Sequence, residues 1–465
     1  MIKTPGKIKG KLIGSAIIAA LGGLLFGFDT AVISGAEGML KEIYSDTYLS
    51  LANIFGAEGF WHGFIVASAL IGTIIGSVFF GKPADKFGRR KMLFVLGILY
   101  FISAIGSALA WDCYSFAFLR FVGGLAVGGS SVVAPMYNAE ISPARYRGRM
   151  VALTQFNIVF GILLAFFSNY IIASLDLGDI TWRWMFGVEA FPALAFTLLL
   201  FLNPRSPRWL VSQNLVAEAK AVIDKLGADK DNVEEEIKEI QNSLRTEKDA
   251  RKESLFQPKY IKPIMLAIAI AMFNQLSGIN ALMYYAPRIF QMAGFAKSAA
   301  MLSSVGVGFV NLIFTMTALL LIDHFGRKKL MLAGSIGYII SLGATALTFY
   351  QHGTDFNNAG SIVVLVSLLV FIAAHAFGQG AVIWVFISEI FPNKVRARGQ
   401  ALGSFTHWFM AAAISWTFPM FAEASGGYVF TFYGICMIGQ LFWVLLRMPE
   451  TKGIPLEELQ KKMKV

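Results

Sequence analysis

Asp29 is a carboxylate inside residues 22–35, Gly-Gly-Leu-Leu-Phe-Gly-Phe-Asp-Thr-Ala-Val-Ile-Ser-Gly, within an apolar run from about Leu12 to Ile33. A bilayer crossing takes about 20 apolar residues, so this run is long enough to span one. A charge at that depth costs at least ~2.5–3.5 kcal/mol. Intramembrane acids therefore face a bundle interior or a water-filled cavity, take a partner, and mark ion or proton pathways. Gly22, Gly23, Gly27 and Gly35 lie in the same stretch and let a neighbouring backbone come close. The chemistry on offer is reversible proton binding. The alternative is a salt bridge that only fixes helix packing.

A second set of charged residues repeats. Asp85-Lys-Phe-Gly-Arg89-Arg90 recurs half a chain later as Asp323-His-Phe-Gly-Arg327-Lys328. Glu140-Ile-Ser-Pro with Arg147 recurs as Glu389-Ile-Phe-Pro with Arg396. The glycine permits a tight reversal between helices, and arginines pair bidentately with carboxylates. The expectation is a latch of ion pairs across one face of the bundle, formed when that face is closed and broken when it opens. The alternative is that the arginines only set topology. Topology alone does not require Asp, Gly and Glu at fixed spacing. Two motif pairs in the same order imply two homologous halves, as in many secondary transporters.

The elements that carry these residues follow from composition. The chain has 465 residues, 56% hydrophobic and 15% charged, with 41 Phe. Soluble domains carry about 25% charged residues, so the fold class is an all-α polytopic membrane protein. Apolar segments fall near 12–34, 60–81, 92–111, 114–137, 150–174, 182–202, 261–291, 300–322, 330–350, 361–387, 397–421 and 427–447. They predict twelve transmembrane helices in two pseudo-symmetric six-helix halves. The predicted units are 1–202, a cytoplasmic linker 203–260, 261–448 and a tail 449–465. In the linker Leu215, Ala219, Val222, Ile223 and Leu226, then Val233, Ile237, Ile240 and Leu244, repeat at helical spacing. Short amphipathic helices are expected there.

Net charge is +11. The Lys and Arg cluster in alternate loops, at 82–91, 145–149, 327–329 and 394–398, while the intervening loops are acidic. That is the positive-inside pattern. It argues against a nucleic-acid partner and places both termini in the cytoplasm. Lys3, Lys7, Lys9 and Lys11 precede the first apolar run, which is too long for a signal-peptide core and reads as a retained helix. Cys113 and Cys436 fall in or beside apolar runs, so no disulfide framework is suggested.

The loop motifs resemble those of the major facilitator superfamily. Further stretches resemble its sugar porter family: 22–29, Arg-Phe-Val-Gly-Gly at 120–124, Pro-Met-Tyr-Asn-Ala-Glu at 135–140, Ser-Pro-Arg-Trp-Leu at 206–210, Gln-Leu-Ser-Gly-Ile-Asn at 275–280 and Pro-Glu-Thr-Lys-Gly at 449–453. The likeness covers essentially the whole chain and is nearest to bacterial sugar–proton symporters of the xylose type. It implies a sugar site at mid-membrane made by Phe26, Gln155, Asn274, Gln275, Asn280, Tyr284, Asn311, Gln379, His407 and Trp408. Amides that donate and accept suit sugar hydroxyls, and aromatic faces suit the C–H patches of a pyranose. It also implies that Asp29 meets Arg120, with Glu189 nearby, as the proton-coupling group. The latch would comprise Asp85, Arg89, Arg90, Glu140, Arg147, Asp323, Arg327, Glu389 and Arg396.

The chain departs from that family at several positions. It has Asn274-Gln275 where many relatives have two glutamines. Gln379, His407 and Ile162 stand where xylose-type symporters have Trp, Gln and a polar residue, which turns the expectation away from xylose. His375-Ala and His407-Trp resemble the fructose-selective animal facilitators. Arg205 stands where the family usually has Glu.

The expected function is import of a monosaccharide by proton symport with alternating access, in a bacterial inner membrane, by a monomer in the lipid bilayer. A proton-independent uniporter and a membrane sugar sensor are the alternatives. The short stretch after Arg447 speaks against a sensor with a long tail. No catalytic residues, metal or cofactor are expected, because no nucleophile–base pair, metal cluster or phosphate-binding loop is seen.

Overall fold

The computed structural model describes residues 10–54, 56–143, 146–226, 233–250, 253–454 and 458–459. The side chains of Arg147, Val151 and residues 246–250, and the lysines at 3, 7 and 9, lie outside the described set. Twelve long helices form the bundle. They are α1 (Gly10–Ile43), α2 (Glu58–Phe79), α3 (Arg89–Ala108), α4 (Cys113–Ile141), α5 (Arg147–Ser174), α6 (Gly178–Leu202), α7 (Pro258–Met292), α8 (Lys297–Phe325), α9 (Arg327–His352), α10 (Asn358–Ile390), α11 (Arg396–Ala424) and α12 (Gly426–Leu446). Eleven are long and apolar enough to cross a membrane. The twelfth, α11, has 29 residues but carries Arg396, Arg398, Gln400, Thr406 and His407 in its first half. It is held by α2, α7 and α12, so packing rather than hydropathy stabilises it.

The helices overrun the apolar segments at most ends, because the loop motifs are themselves helical. Gly88 and Gly326 each have φ +91° and cap α3 and α9. A side chain is strained in that region, so both repeats need glycine there. Arg89 and Arg327 are the first residues of their helices.

The longest helix, α1, has 34 residues. At about 1.5 Å per residue it outreaches a ~30 Å hydrocarbon layer and carries Glu37 and Lys41 beyond the apolar run. It packs on α5 at backbone contact. A Cβ at Gly27 would lie 1.9 Å from the Ile158 carbonyl oxygen, and one at Gly161 would lie 2.1 Å from that of Leu24. Either methyl would force the helices apart. In the N-terminal half α2 and α3 also pack on α4; in the C-terminal half α9 packs on α10 and α12. The halves meet through α1 with α7, α2 with α11, and α5 with α8.

Between the halves, helices Pro207–Ser212, Val216–Leu226 and Val233–Ala250 bury Leu210, Val211, Ala219, Ile223 and Ile237 in a small core of their own. The predicted Leu215 is instead 42% exposed. It lies just before the helix, where its backbone carbonyl bonds Ala219. Trp209 Nε1 donates to the Asp85 carbonyl at 3.1 Å, tying this layer to the end of the bundle that carries the basic loops, here termed the basic end.

Candidate transport site

Three chain interruptions shape the middle of the bundle. In α6 helix Thr181–Gly187 stops and helix Ala190–Leu199 begins, leaving Val188 and Glu189 in a turn. Pro192 is the cause, because it has no N–H for the Val188 carbonyl. In α7 Gly278 takes φ +87°, and Tyr285 is non-helical (φ −126°, ψ 21°) ahead of Pro287. In α10 residues Ala376–Gly380 form a π-helical turn. Broken helices of this kind surround binding sites in transporters, and π-turns concentrate at functional positions.

The Asp29–Arg120 pair is made, and both side chains are 1% exposed. Arg120 Nη1 donates to Asp29 Oδ1, and Nη2 donates to the Asp29 backbone carbonyl at 3.0 Å. The guanidinium also lies over the Phe186 ring, 5.3 Å from its centroid. Phe186 is held by Phe116 at 5.1 Å and packs against Trp182, so the pair is roofed by aromatic rings. Glu189 is equally buried, its Oε1 has no hydrogen-bond partner, and it sits in the field of Arg120. One guanidinium thus faces two carboxyl groups in a buried space. Desolvation costs several kcal/mol per ion there. With both carboxyl groups ionised the three side chains sum to one negative charge, and one bound proton makes them neutral. Tyr100, Ser103 and Ser130 add buried hydroxyls, with Tyr100 within electrostatic reach of Asp29, Glu189 and Ser130. Gly123 makes room for Ser103 beside the acid: a Cβ on it would lie 2.4 Å from Ser103 Oγ and 3.3 Å from Asp29 Oδ1.

The structure brings part of the expected sugar group together. Gln275 Nε2 donates to Asn274 Oδ1 at 3.0 Å and lies 3.3 Å from His407 Nε2. The His407 ring is 4.9 Å from Trp408 and 5.0 Å from Trp384. Trp408 meets Phe26 at 5.6 Å, which joins α11 to α1 across the two halves. Gln275 Oε1 is buried without a partner and is available to a hydroxyl. Tyr284, 2% exposed, lies within electrostatic reach of Arg120 and Asp29. Phe26 precedes Asp29 by one helical turn on α1. Phe26 therefore connects the amide–aromatic group to the helix that carries the ion pair, and Tyr284 lies beside that pair.

Other expected members make no hydrogen bond to this group among the described residues. Asn311 on α8 accepts from Thr315 one turn later at 3.3 Å. Gln155 and Asn280 are half-buried and make no hydrogen bond among the described residues. Gln379 is not brought to the group. Its amide donates to Gln440 Oε1 on α12, and Gln440 donates to Ser335 Oγ on α9 at 2.9 Å. The π-turn rotates Gln379 toward α9 and α12, where an amide ladder binds it. His375 likewise pairs with Tyr338 at 2.6 Å. Gln440 was legible as a lone amide in an apolar run; nothing in the sequence marked its partner.

At the basic end the two arginines of the repeat meet the expected carboxylates. Arg89 bonds Glu140 at 2.8 and 2.9 Å and Asp85 at 3.0 Å. Arg327 bonds Glu389 at 2.8 and 3.1 Å and Asp323 at 3.1 Å. Both arginines pair inside their own half. The arginine opens the helix whose start abuts that glutamate, so the nearest carboxylate is internal. Arg90 donates to the carbonyls of Leu200 and Phe201 at 3.1 and 3.0 Å and caps α6 rather than joining the latch. Arg396 Nε is buried without a hydrogen-bond partner among the described residues; the Arg147 side chain is outside the described set.

A further repeat emerges only in three dimensions. Ser206 Oγ donates to Glu140 at 2.5 Å, and Thr451 Oγ1 donates to Glu389 at 2.6 Å. Glu450, just before Thr451, accepts the backbone N–H groups of Arg327 and Lys328 at 3.0 Å each. Partial burial raises its pKa, but N–H donors from Lys452, Arg327, Lys328 and Thr451 hold it below the ordinary value. The position before Ser206 is Arg205, which instead sits 3.4 Å from Glu218. The start of α3 therefore lacks the carboxylate that caps α9.

A bundle of twelve spanning helices in two repeated halves, with polar groups buried where the halves meet, is the architecture of a secondary transporter. The family model described as Sugar (and other) transporter matches residues 15–463, and the chain belongs to that family. It is a multi-pass membrane transporter, not an enzyme. The D-xylose-proton symporter of Escherichia coli (strain K12) is 36% identical over 475 residues, covering 96% of this chain and 94% of that protein. The arabinose-proton symporter of Bacillus subtilis (strain 168) is 37% identical over 448 residues, covering 95% and 93%. The inward-open structure of the xylose transporter XylE from E. coli superposes with a TM-score of 0.84 at 35% identity, covering 97% of this chain and 99% of that one.

Proposed function

We propose that this chain imports a monosaccharide, a hexose or pentose, together with a proton by alternating access. The observation that carries this reading is the buried Asp29–Arg120–Glu189 group, whose Asp29 shares a helix with Phe26, and Phe26 meets the amide–aromatic group around Gln275. Asn274, Gln275, His407, Trp408, Phe26 and Tyr284 bind the sugar, with Gln155, Asn280 and Asn311 reaching it as the halves move. Protonating Asp29 releases Arg120, loosens α1 from α4 and favours sugar binding. Deprotonation on the other side restores the pair. The two repeated Arg–Glu clusters keep each half rigid while it rocks. The membrane is a bacterial inner membrane, the basic end and both termini are cytoplasmic, and the monomer is the working unit.

The test is a panel of labelled monosaccharides in proteoliposomes with simultaneous recording of internal pH. One or more sugars should enter with protons and accumulate against their gradient. Sugar entry with no proton movement would make the protein a uniporter, and no sugar entry would overturn the proposal.

A further inference from the structure

The end opposite the basic loops holds a cluster that the transport site does not use. Glu37 on α1 is 2% exposed, and His62 on α2 is fully buried. Glu37 Oε1 receives Arg288 Nη1 from α7 at 2.8 Å and lies 2.7 Å from His62 Nε2. Arg288 Nη2 reaches Glu423 on α11 at 3.5 Å, and Lys41 of α1 reaches the same Glu423 oxygen at 2.6 Å. Two of these pairs, Arg288–Glu37 and Lys41–Glu423, join one half of the molecule to the other. Beside them Trp416 Nε1 donates across the interface to the Phe60 carbonyl at 3.0 Å. A Cβ at Gly63 would lie 1.9 Å from the Trp416 carbonyl oxygen, so α2 and α11 touch backbone to backbone.

We propose that Glu37, Arg288, Glu423 and Lys41 are the outer gate: a charge-paired latch that holds this end shut and sets the balance between the two access states. This rests on the alternating-access reading above. Separating the halves here would leave Glu37 with His62 alone and strip Glu423 of Lys41. The contacts therefore exist in one state and not in the other, which is what lets them bias an equilibrium. Glu37 is the central group because one oxygen serves both halves. It lies about two helical turns beyond Asp29 on α1, so the helix that carries the proton acid also carries the gate.

The experiment measures the gate directly by spin-label distances in purified protein with Cys113→Ala and Cys436→Ser. One label pair spans the outer end, Ser50→Cys with Ser298→Cys. The other spans the basic end, Lys86→Cys with Asn393→Cys. All four positions are exposed. Each of Glu37→Gln and Arg288→Ala removes the inter-half pair from the closed outer end only, and should raise the ratio of outward-open to inward-open molecules by about tenfold or more. The outer distance should lengthen and the basic-end distance shorten together. Loss of fold would not produce that reciprocal change. Arg288→Lys, which keeps the charge, should restore most of the parental ratio.

Gly63→Ala wedges the same interface without touching a charge, so it should also open the outer end. Parental distances in both charge variants would overturn the latch. So would a shift in Gly63→Ala alone, because closure would then rest on packing. If the distances shift as expected but no sugar is carried, the latch stands and the sugar assignment falls.

Discussion

Replacing Asp29 by Asn removes a charge and little else. Asn has nearly the same shape, and its oxygen can still accept from Arg120 Nη1. The second bond, from Nη2 to the Asp29 backbone carbonyl at 3.0 Å, does not depend on the side chain. Arg120 also keeps the Phe186 ring and the nearby Glu189 carboxyl group. The stability lost should thus be that of one charge-assisted bond, about 1.5–3 kcal/mol, rather than the 3–5 kcal/mol of an uncompensated buried ion. The variant should fold and move sugar. What it should lose is the driving force. A membrane potential of about 100 mV is worth about 2.3 kcal/mol per charge carried, or roughly 50-fold accumulation of a sugar moving with one proton. In Asp29→Asn that ratio should fall to about 1. Exchange of labelled for unlabelled sugar, which requires no net proton movement, should continue. The assay records proton influx on sugar addition and sugar exchange in the same vesicles. If Asp29→Asn still draws protons in with sugar, the coupling role assigned to this carboxylate is wrong.

Other outcomes follow from the same contacts. Gln275→Ala removes the amide that bridges Asn274 and His407, and at ~0.5–1.5 kcal/mol per bond should weaken sugar binding on the order of tenfold in a calorimetric titration. His407→Gln should change the order of preference among pentoses and hexoses, because His407 touches Gln275, Trp384 and Trp408. An unaltered competition profile would place it outside the site. Arg205→Glu supplies the start of α3 with the carboxylate that Glu450 gives α9. A carboxylate at a helix start contributes about 0.3–1 kcal/mol, so the thermal midpoint of a chain of 465 residues should rise by about 1 °C or less. An unchanged or lowered midpoint would refute the equivalence. Glu450 sits below its ordinary value of 4.5, so its caps stabilise the fold above that pH and are lost as pH falls through the lower native value. Acid melting below about pH 4.5 should show this loss, and Glu450→Gln should flatten that part of the curve while lowering stability at neutral pH.

Residue order alone determined much of this molecule. Long apolar runs have no other home than a bilayer, so the membrane class and most of the helices followed from hydropathy, while α11 rests on packing. An acid in such a run must be paired, so Asp29 marked a buried ion pair before its partner Arg120 was in view. The duplicated Asp–Gly–Arg and Glu–Arg spacings exposed the two halves, because each repeat needs a glycine at φ +91° ahead of its arginine.

Direction and partnership across helices were decided only by the tertiary structure. An arginine at a helix start can reach any carboxylate within a side-chain length, and only the packed bundle shows that Arg89 and Arg327 find theirs inside their own halves. Gln379 reads like a cavity amide until the π-turn in α10 rotates it onto Gln440. Glu37, His62, Arg288 and Glu423 are far apart in the chain and unremarkable in their local patterns. They become one cluster because α1, α2, α7 and α11 converge at that end. Spacing along a helix reports which face a residue occupies, and the fold alone reports what that face meets.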